Sequence, residues 1–245
     1  MAGKLYGIGV GPGDSELITL KALRLLRAAP VVAYPAPDDG NSFARQIVAL
    51  FLSEEQIEIP IIVPMRVERF PAQQVYDQAA HNIAEHLKQD RDVVVLCEGD
   101  PFFYGSFMYL YERLANEFEC EIVPGVSSMM AGAAALGRPL AARNDILTVI
   151  PAPLSDDEIK TQLMTCQAAA IIKLGRHFER VQNLITDMGL SDQAGYLERI
   201  SLSEEKIYPL NEVPTNKAPY FSMILIYKGV ENWVSDLPVP HKGEE

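Results

Sequence analysis

"RDVVVLCEGDPFFYG" occupies residues 91–105, and Val93 to Cys97 form an unbroken apolar run within it. A strand with one wet face alternates apolar and polar residues. An unbroken run suits a strand covered on both faces, as in parallel sheets flanked by helices. Glu98-Gly99-Asp100-Pro101 ends the run at the strand's carboxyl end, the edge where open α/β sheets bind ligands. Gly99 permits an unusual turn, Asp100 offers a carboxylate, and Phe102, Phe103 and Tyr104 supply aromatic walls. A helix cap with core aromatics would use the same residues, so both readings stand at this point.

Working outward, strands and helices alternate. Upstream, Leu5–Val10, "PVVAYPAP" (30–37) and "IEIPIIVPM" (57–65) read as strands. Leu17, Leu20, Leu23 and Leu26 recur at roughly helical spacing behind Asp14 or Ser15 as caps, and 44–51 is helical. Val75, Ala79, Ile83 and Leu87 keep a four-residue step that marks a helix. Downstream come a helix from Ser106 to Phe118, the strand "CEIVPG", and a small-residue helix from Ser127 to Leu136. This alternation predicts a mostly parallel sheet with helices on both sides. "RPLAARND" (138–145) reads as a crossing into a second α/β domain. Strands there are "ILTVIPAP", "AAAIIKLG", "AGYLERI" and "YFSMILIYKG", with helices near 156–166 and 177–188. The expected architecture is two α/β domains, 1–142 and 143–245, with mixed or parallel sheets and a loose tail.

Composition sets outer limits. The chain has 245 residues, 48% of them hydrophobic, enough for a sizeable core. A formal charge of −12 argues against general nucleic-acid binding, which needs a basic surface. Cys97, Cys120 and Cys166 fit neither zinc nor disulfide spacing and read as free thiols of a reducing cytoplasm. The amino terminus lacks the pattern of a signal peptide, and Met129–Leu136 is too short to span a bilayer. His81 and His86 stand five apart, not the four that would put two metal ligands on one helix face, and no metal site is expected.

"GIGVGPGD" (7–14) raises the question of a phosphate loop. Counted from Gly7, the third glycine of G-x-G-x-x-G would be Pro12; from Gly9 it would be Asp14. Both registers fail. Asp14 also puts a carboxylate where a phosphate would sit. Two readings remain: a steric strand-to-helix turn, or bare backbone against which a flat ligand lies. In "VPGVSS" (123–128), Ser127 and Ser128 stand where a helix begins, and capping accounts for one of them.

"GIGVGPGD", "EGDPFFYGSF" and "VPGVSS" together, in this order, resemble the tetrapyrrole methylases, which use S-adenosylmethionine (SAM) as methyl donor. Within that family, "GDPFFYGSFMYLYERL", "VPMRVER", "KLGRHFE", "YLERISLSEEKI" and "APYFSMILIYKG" are most similar to the members that methylate C20 of precorrin-2 in cobalamin biosynthesis. Members acting on cobalt-factor II are close cousins. A nucleotide-dependent oxidoreductase is the contrasting class, disfavoured by the failed glycine spacing.

The resemblance implies a homodimer with SAM folded in a cleft between the two domains. Gly99 and Asp100 would meet SAM's polar end beside Phe103 and Tyr104. Ser127 and Ser128 would line the same pocket, with Leu174, Ile200 and Met223 toward the adenine. Gly9, Gly11 and Gly13 would keep side chains away from the flat tetrapyrrole while Pro12 holds the turn. Arg45, Arg66, Arg69, Arg138 and Arg176 are candidate donors to its carboxylates. The implied reaction needs no covalent enzyme intermediate. Asp14, which also lies in this substrate-binding loop, is a candidate to take the proton lost from C20. Glu98 departs from the smaller residue common at its position and is assigned no catalytic role.

Overall fold

A computed structural model describes residues 2–38, 41–63, 70–214, 217–229, 231, 234 and 239–243, with only the backbone of 70–72. The chain divides into two compact units, Met1–Ser127 and Ser128–Glu245.

The first unit is a parallel sheet wrapped by helices. Its elements in chain order are β1 (Leu5–Gly9), α1 (Leu20–Ala28), β2 (Val31–Ala36), α2 (Phe43–Val48), β3 (Ile57–Ile62), α3 (Phe70–Leu87), β4 (Val93–Cys97), α4 (Phe107–Leu114) and β5 (Cys120–Val123). The strands lie in the order β3-β2-β4-β1-β5, and every pairing is parallel. All five carboxyl ends therefore share one edge. β4 is buried at every residue, as its sequence predicts. Val93, Val95 and Cys97 pack with Ile83, Leu87, Phe107 and Leu110 of α3 and α4. Val94 and Leu96 face the other way, against Ala22, Leu26, Ala44 and Ile47 of α1 and α2.

One predicted helix splits. Asp14 caps a single 3-10 turn, Ser15–Leu17, accepting the Glu16 N–H at 2.8 Å. Extended backbone at Ile18 and Thr19 ends that turn, and Thr19 caps α1 anew by accepting the Ala22 N–H at 3.2 Å.

The second unit comprises α5 (Ser128–Ala135), β6 (Leu147–Pro151), α6 (Asp156–Thr165), β7 (Ala168–Ile172), α7 (Phe178–Asp187), β8 (Ala194–Glu198), β9 (Lys206–Pro209) and β10 (Ser222–Tyr227). Its sheet runs β6-β7-β10-β8-β9, with β6 and β7 parallel and every other pairing antiparallel. One face carries Ile150, Ala169, Ile171, Tyr196 and Ile224 against α6 and α7. The other carries Ala170, Leu197, Met223 and Leu225 against Met129, Ala133 and Leu136 of α5 and its exit.

That second face moves the division of the chain from the expected 142 to Ser127/Ser128. α5 follows a strand of the first sheet in sequence but buries its apolar side on the second. A Cβ on Gly132 would meet Leu197, Leu225 and Met223 at 3.3–3.4 Å, so a larger residue there would push the helix off the sheet. β9 was not expected. The tail expected to be loose pairs with it, Lys242 and Ile207 exchanging backbone hydrogen bonds at 2.8 Å. Cys97, Cys120 and Cys166 are free thiols. Among the described residues no helix is long and apolar enough to cross a membrane, and no group of His, Cys, Asp and Glu could hold a metal ion.

Candidate active site

Three loops leave β1, β4 and β5 at the common carboxyl edge of the first sheet, and glycine lets them touch. A Cβ on Gly9 would meet Gly99 O and Gly125 Cα at 2.5 Å; one on Gly125 would meet Gly99 O at 2.0 Å. Gly11 and Gly99 form a bridge, with the Gly99 N–H donating to Gly11 O at 2.8 Å. Both sit at positive φ, +82° and +63°, where side chains are strained. The motif glycines thus first serve the close approach of backbone to backbone. Gly125, quoted within "VPGVSS" but given no role there, is the tightest of the set; the Pro-Gly exit from a strand was its signal.

Asp100 fastens this arrangement. Its Oδ1 accepts the Phe102 N–H at 2.9 Å and its Oδ2 the Gly125 N–H at 3.0 Å, tying the β4 loop to the β5 loop. Beside it, room remains. A Cβ on Gly99 would find nothing nearer than Ser127 Cα and Val126 O at 3.9 Å. Ser127 is buried, whereas Phe103 and Tyr104 stand 36% and 46% exposed, their rings edge to face at 5.1 Å. Tyr104 holds φ at +56°, strain of the kind that collects at ligand sites. Gly9, Gly11 and Pro12 are buried, and Gly13 and Asp14 are half-buried. The structure therefore brings together Gly9, Gly11, Gly99, Asp100, Phe103, Tyr104 and Ser127.

Arg45 points elsewhere. Its Nε and Nη2 bind Glu58 Oε2 and Oε1 at 2.5 and 2.8 Å, so the fork that would recognise a substrate carboxylate already holds one. Arg66 and Arg69 lie outside the described residues.

In the second unit, β7 and β8 end at the edge where β10 begins. Ile200 and Met223 meet there in one buried cluster against α5. Leu174 turns its side chain into the opposite core, with Phe178 and Ile171, so it can meet a ligand at this edge only through backbone. Ser128 opens α5, and Arg176 is exposed on a 3-10 turn after β7. Arg138 does not join them. It lies with Leu136, Leu140 and Tyr227 at the far end of β10, about 13 Å along the strand from Met223, and burial pushes its guanidinium pKa down. Spacing along the chain places Arg138 near the motif helix; strand direction carries it to the other end. Two further basic residues, Lys173 and Arg199, stand at the carboxyl ends of β7 and β8 with φ of +60° and +50°.

Comparison with known proteins gives this arrangement a family. Residues 4–214 match the model of the tetrapyrrole (corrin/porphyrin) methylases. The chain is 38% identical to "Cobalamin biosynthesis protein CobIJ" of Mycobacterium bovis over 93% of its own length. It spans about half, 46%, of that longer relative. It is 36% identical to the "Precorrin-2 C(20)-methyltransferase" of Sinorhizobium sp, covering 91% of this chain and 95% of the relative. The crystal structure of the methyltransferase CobJ superposes with a TM-score of 0.69 at 21% identity, covering 92% of this chain and 94% of that one, and shows the fold. With its parallel and mixed sheets and its glycine loops at strand ends, the chain belongs to the tetrapyrrole methylase family.

Proposed function

We propose that the protein transfers a methyl group from SAM to C20 of precorrin-2, giving precorrin-3A in cobalamin biosynthesis. The observation that carries this reading is the bare backbone around Gly99, open on one side and flanked by Asp100, buried Ser127 and two exposed aromatic rings. These residues fit SAM: the backbone and the lone pairs left on Asp100 suit its polar end, and the rings suit a cation. The Sinorhizobium relative, named for this reaction and matched over nearly its whole length, supports the substrate.

Bound SAM supplies an electrophilic methyl on sulfur. The residues of this chain bind and orient, since the positive charge disperses in the transition state and needs no acid. Holding carbon, methyl and sulfur in line can contribute about 7–11 kcal/mol when orientation is good. The locked glycine loops of the first unit provide such rigidity. Arg176, Arg66 and Arg69 are the remaining proposed partners of the substrate carboxylates. Arg66→Ala or Arg69→Ala is expected to raise the Michaelis constant more than it lowers turnover. A cytoplasmic homodimer belongs to the same proposal, and sedimentation reads the dimer.

One incubation tests the reaction. Methyl-labelled SAM is offered with precorrin-2 or with cobalt-factor II, and the product is analysed for label at C20. Label from precorrin-2 supports the reading; label only from the cobalt compound reassigns the substrate; label from neither removes the function.

A further inference from the structure

Resting on the SAM binding just proposed, with Ile200 and Met223 toward the adenine, we propose that Glu205 is a positioning residue for SAM. Braced by Lys242, it holds the turn that carries Ile200 in a shape that the turn's own residues do not favour.

The turn leaves β8. Arg199 anchors its start, donating its N–H to Phe221 O, just before β10, at 2.9 Å. The Leu202 N–H closes it on Arg199 O at 3.0 Å, so Ile200 and Ser201 are its two central residues. Arg199 and Ser201 stand at φ +50° and +66°, on either side of Ile200. A positive φ at the second central position of a turn ordinarily falls to glycine or asparagine, and here a serine takes it. Left-handed backbone is costly for residues with side chains and persists only where the surroundings fix it.

Glu205 supplies that fixing. Its backbone N–H donates to Leu202 O at 3.2 Å, which brings the residue back beside the turn. Its Oε2 accepts the N–H of Ser201, the strained residue itself, at 2.8 Å. Its Oε1 accepts from Lys242 Nζ at 3.0 Å. The Glu205 side chain is only 12% exposed, so both bonds form largely away from water. An ion pair to an exposed lysine contributes little when both side chains are loose. Lys242 is not loose: its backbone exchanges two hydrogen bonds with Ile207 of β9, and His241 beside it sets its ring edge-on to Tyr208 at 4.9 Å. The same segment packs Val239 against the cluster that holds Ile200 and Met223. β9 and the backbone at Lys242 thus form a frame beside the turn, and Glu205 links that frame to the Ser201 N–H. Ile200, between the two strained residues, is what the link positions.

The test uses the full chain. SAM affinity is measured by calorimetry, Michaelis constants for SAM and precorrin-2 by methyl transfer, and folding by thermal denaturation. Glu205→Ala is expected to weaken SAM by about tenfold or more, the loss of a hydrogen bond to a charged acceptor. Its Michaelis constant for precorrin-2 and its turnover at saturating SAM should stay within about twofold of wild type. Glu205→Gln keeps an oxygen for the Ser201 N–H and should recover most of the affinity. Adding Ser201→Gly to Glu205→Ala should recover about threefold or more, because glycine adopts positive φ without help. Lys242→Ala, at an exposed position, should keep the fold and weaken SAM by about threefold. Ile185→Val trims the buried core on α7 and is the control: it should melt lower and bind SAM as the wild type does. The proposal is overturned if Glu205→Ala or Lys242→Ala binds SAM with unchanged affinity. It is also overturned if the constants for SAM and precorrin-2 rise together, or if Ser201→Gly restores nothing. Wild type that binds no SAM would instead remove the underlying reading, and with it this one.

Discussion

Gly125→Ala tests the claim that the motif glycines hold three loops together. The new Cβ would lie 2.0 Å from Gly99 O and 2.7 Å from Gly9 Cα, both backbone atoms of strand ends in the middle of the sheet. Relief requires moving a strand terminus by an ångström or more against the Gly11–Gly99 bridge and the Asp100–Gly125 bond. Overpacking of a rigid core costs about 1–3 kcal/mol, and with only backbone to yield the top of that range is expected. For a chain of this size about 3 kcal/mol lowers the melting temperature by about 6–12 °C. Gly99→Ala is the matched control. Its Cβ meets nothing closer than 3.9 Å, so it bears only the strain of φ +63°, about 1 kcal/mol or about 2–4 °C. It does, however, fill the room beside Asp100. Differential scanning calorimetry with and without SAM separates the two: Gly125→Ala loses stability, and Gly99→Ala loses the upward shift that SAM gives. If Gly125→Ala melts no lower than Gly99→Ala, the packing argument is wrong.

Arg45→Ala should leave the Michaelis constant for precorrin-2 unchanged, because the fork serves Glu58; stability should fall by no more than about 1 kcal/mol, the range of half-exposed pairs. Tyr196→Phe removes the hydroxyl that donates to Oε2 of buried Glu198 at 2.7 Å, leaving that oxygen without this donor while Lys206 stays 3.9 Å from Oε1, and should cost about 1–3 kcal/mol in urea unfolding. Lys21 and Lys4 pull the Glu121 carboxyl down to about 2. A carboxylate depressed in the folded state stabilises above its unfolded value and loses that contribution as pH falls, here between about 4.3 and about 2. Carbon-13 titration of Glu121 reads this directly, and Lys21→Ala should move its midpoint upward.

Much of the fold is legible in local pattern. The unbroken Val93–Cys97 run predicts a strand with two covered faces, and helices line both. Ala79, Ile83 and Leu87 keep their four-step rhythm and are buried together on α3. What local pattern does not carry is where an element packs. The small-residue helix Ser128–Ala135 has no polar face to orient it, so its preference for the second sheet is set by the fit of Gly132 against Leu197 and Met223. β9, four residues long, is too short for a period to show.

The same limit governs the site. The three motif loops meet as their order suggests, and the failed phosphate spacing is explained by glycines packed on glycines. Arg138 and Leu174, close in sequence to site residues, depend on strand direction and sheet face, which the sequence leaves open. Arg45 depends on a partner from β3, Glu58, that spacing alone does not reveal.

The most direct measurement of the central claim is the position of the methyl group after one turnover with carbon-13 methyl SAM and precorrin-2. The account predicts a single enriched methyl on C20, seen by carbon NMR, in equimolar yield with S-adenosylhomocysteine. Enrichment at another ring carbon, or demethylation of SAM with no enrichment of the tetrapyrrole, would contradict it.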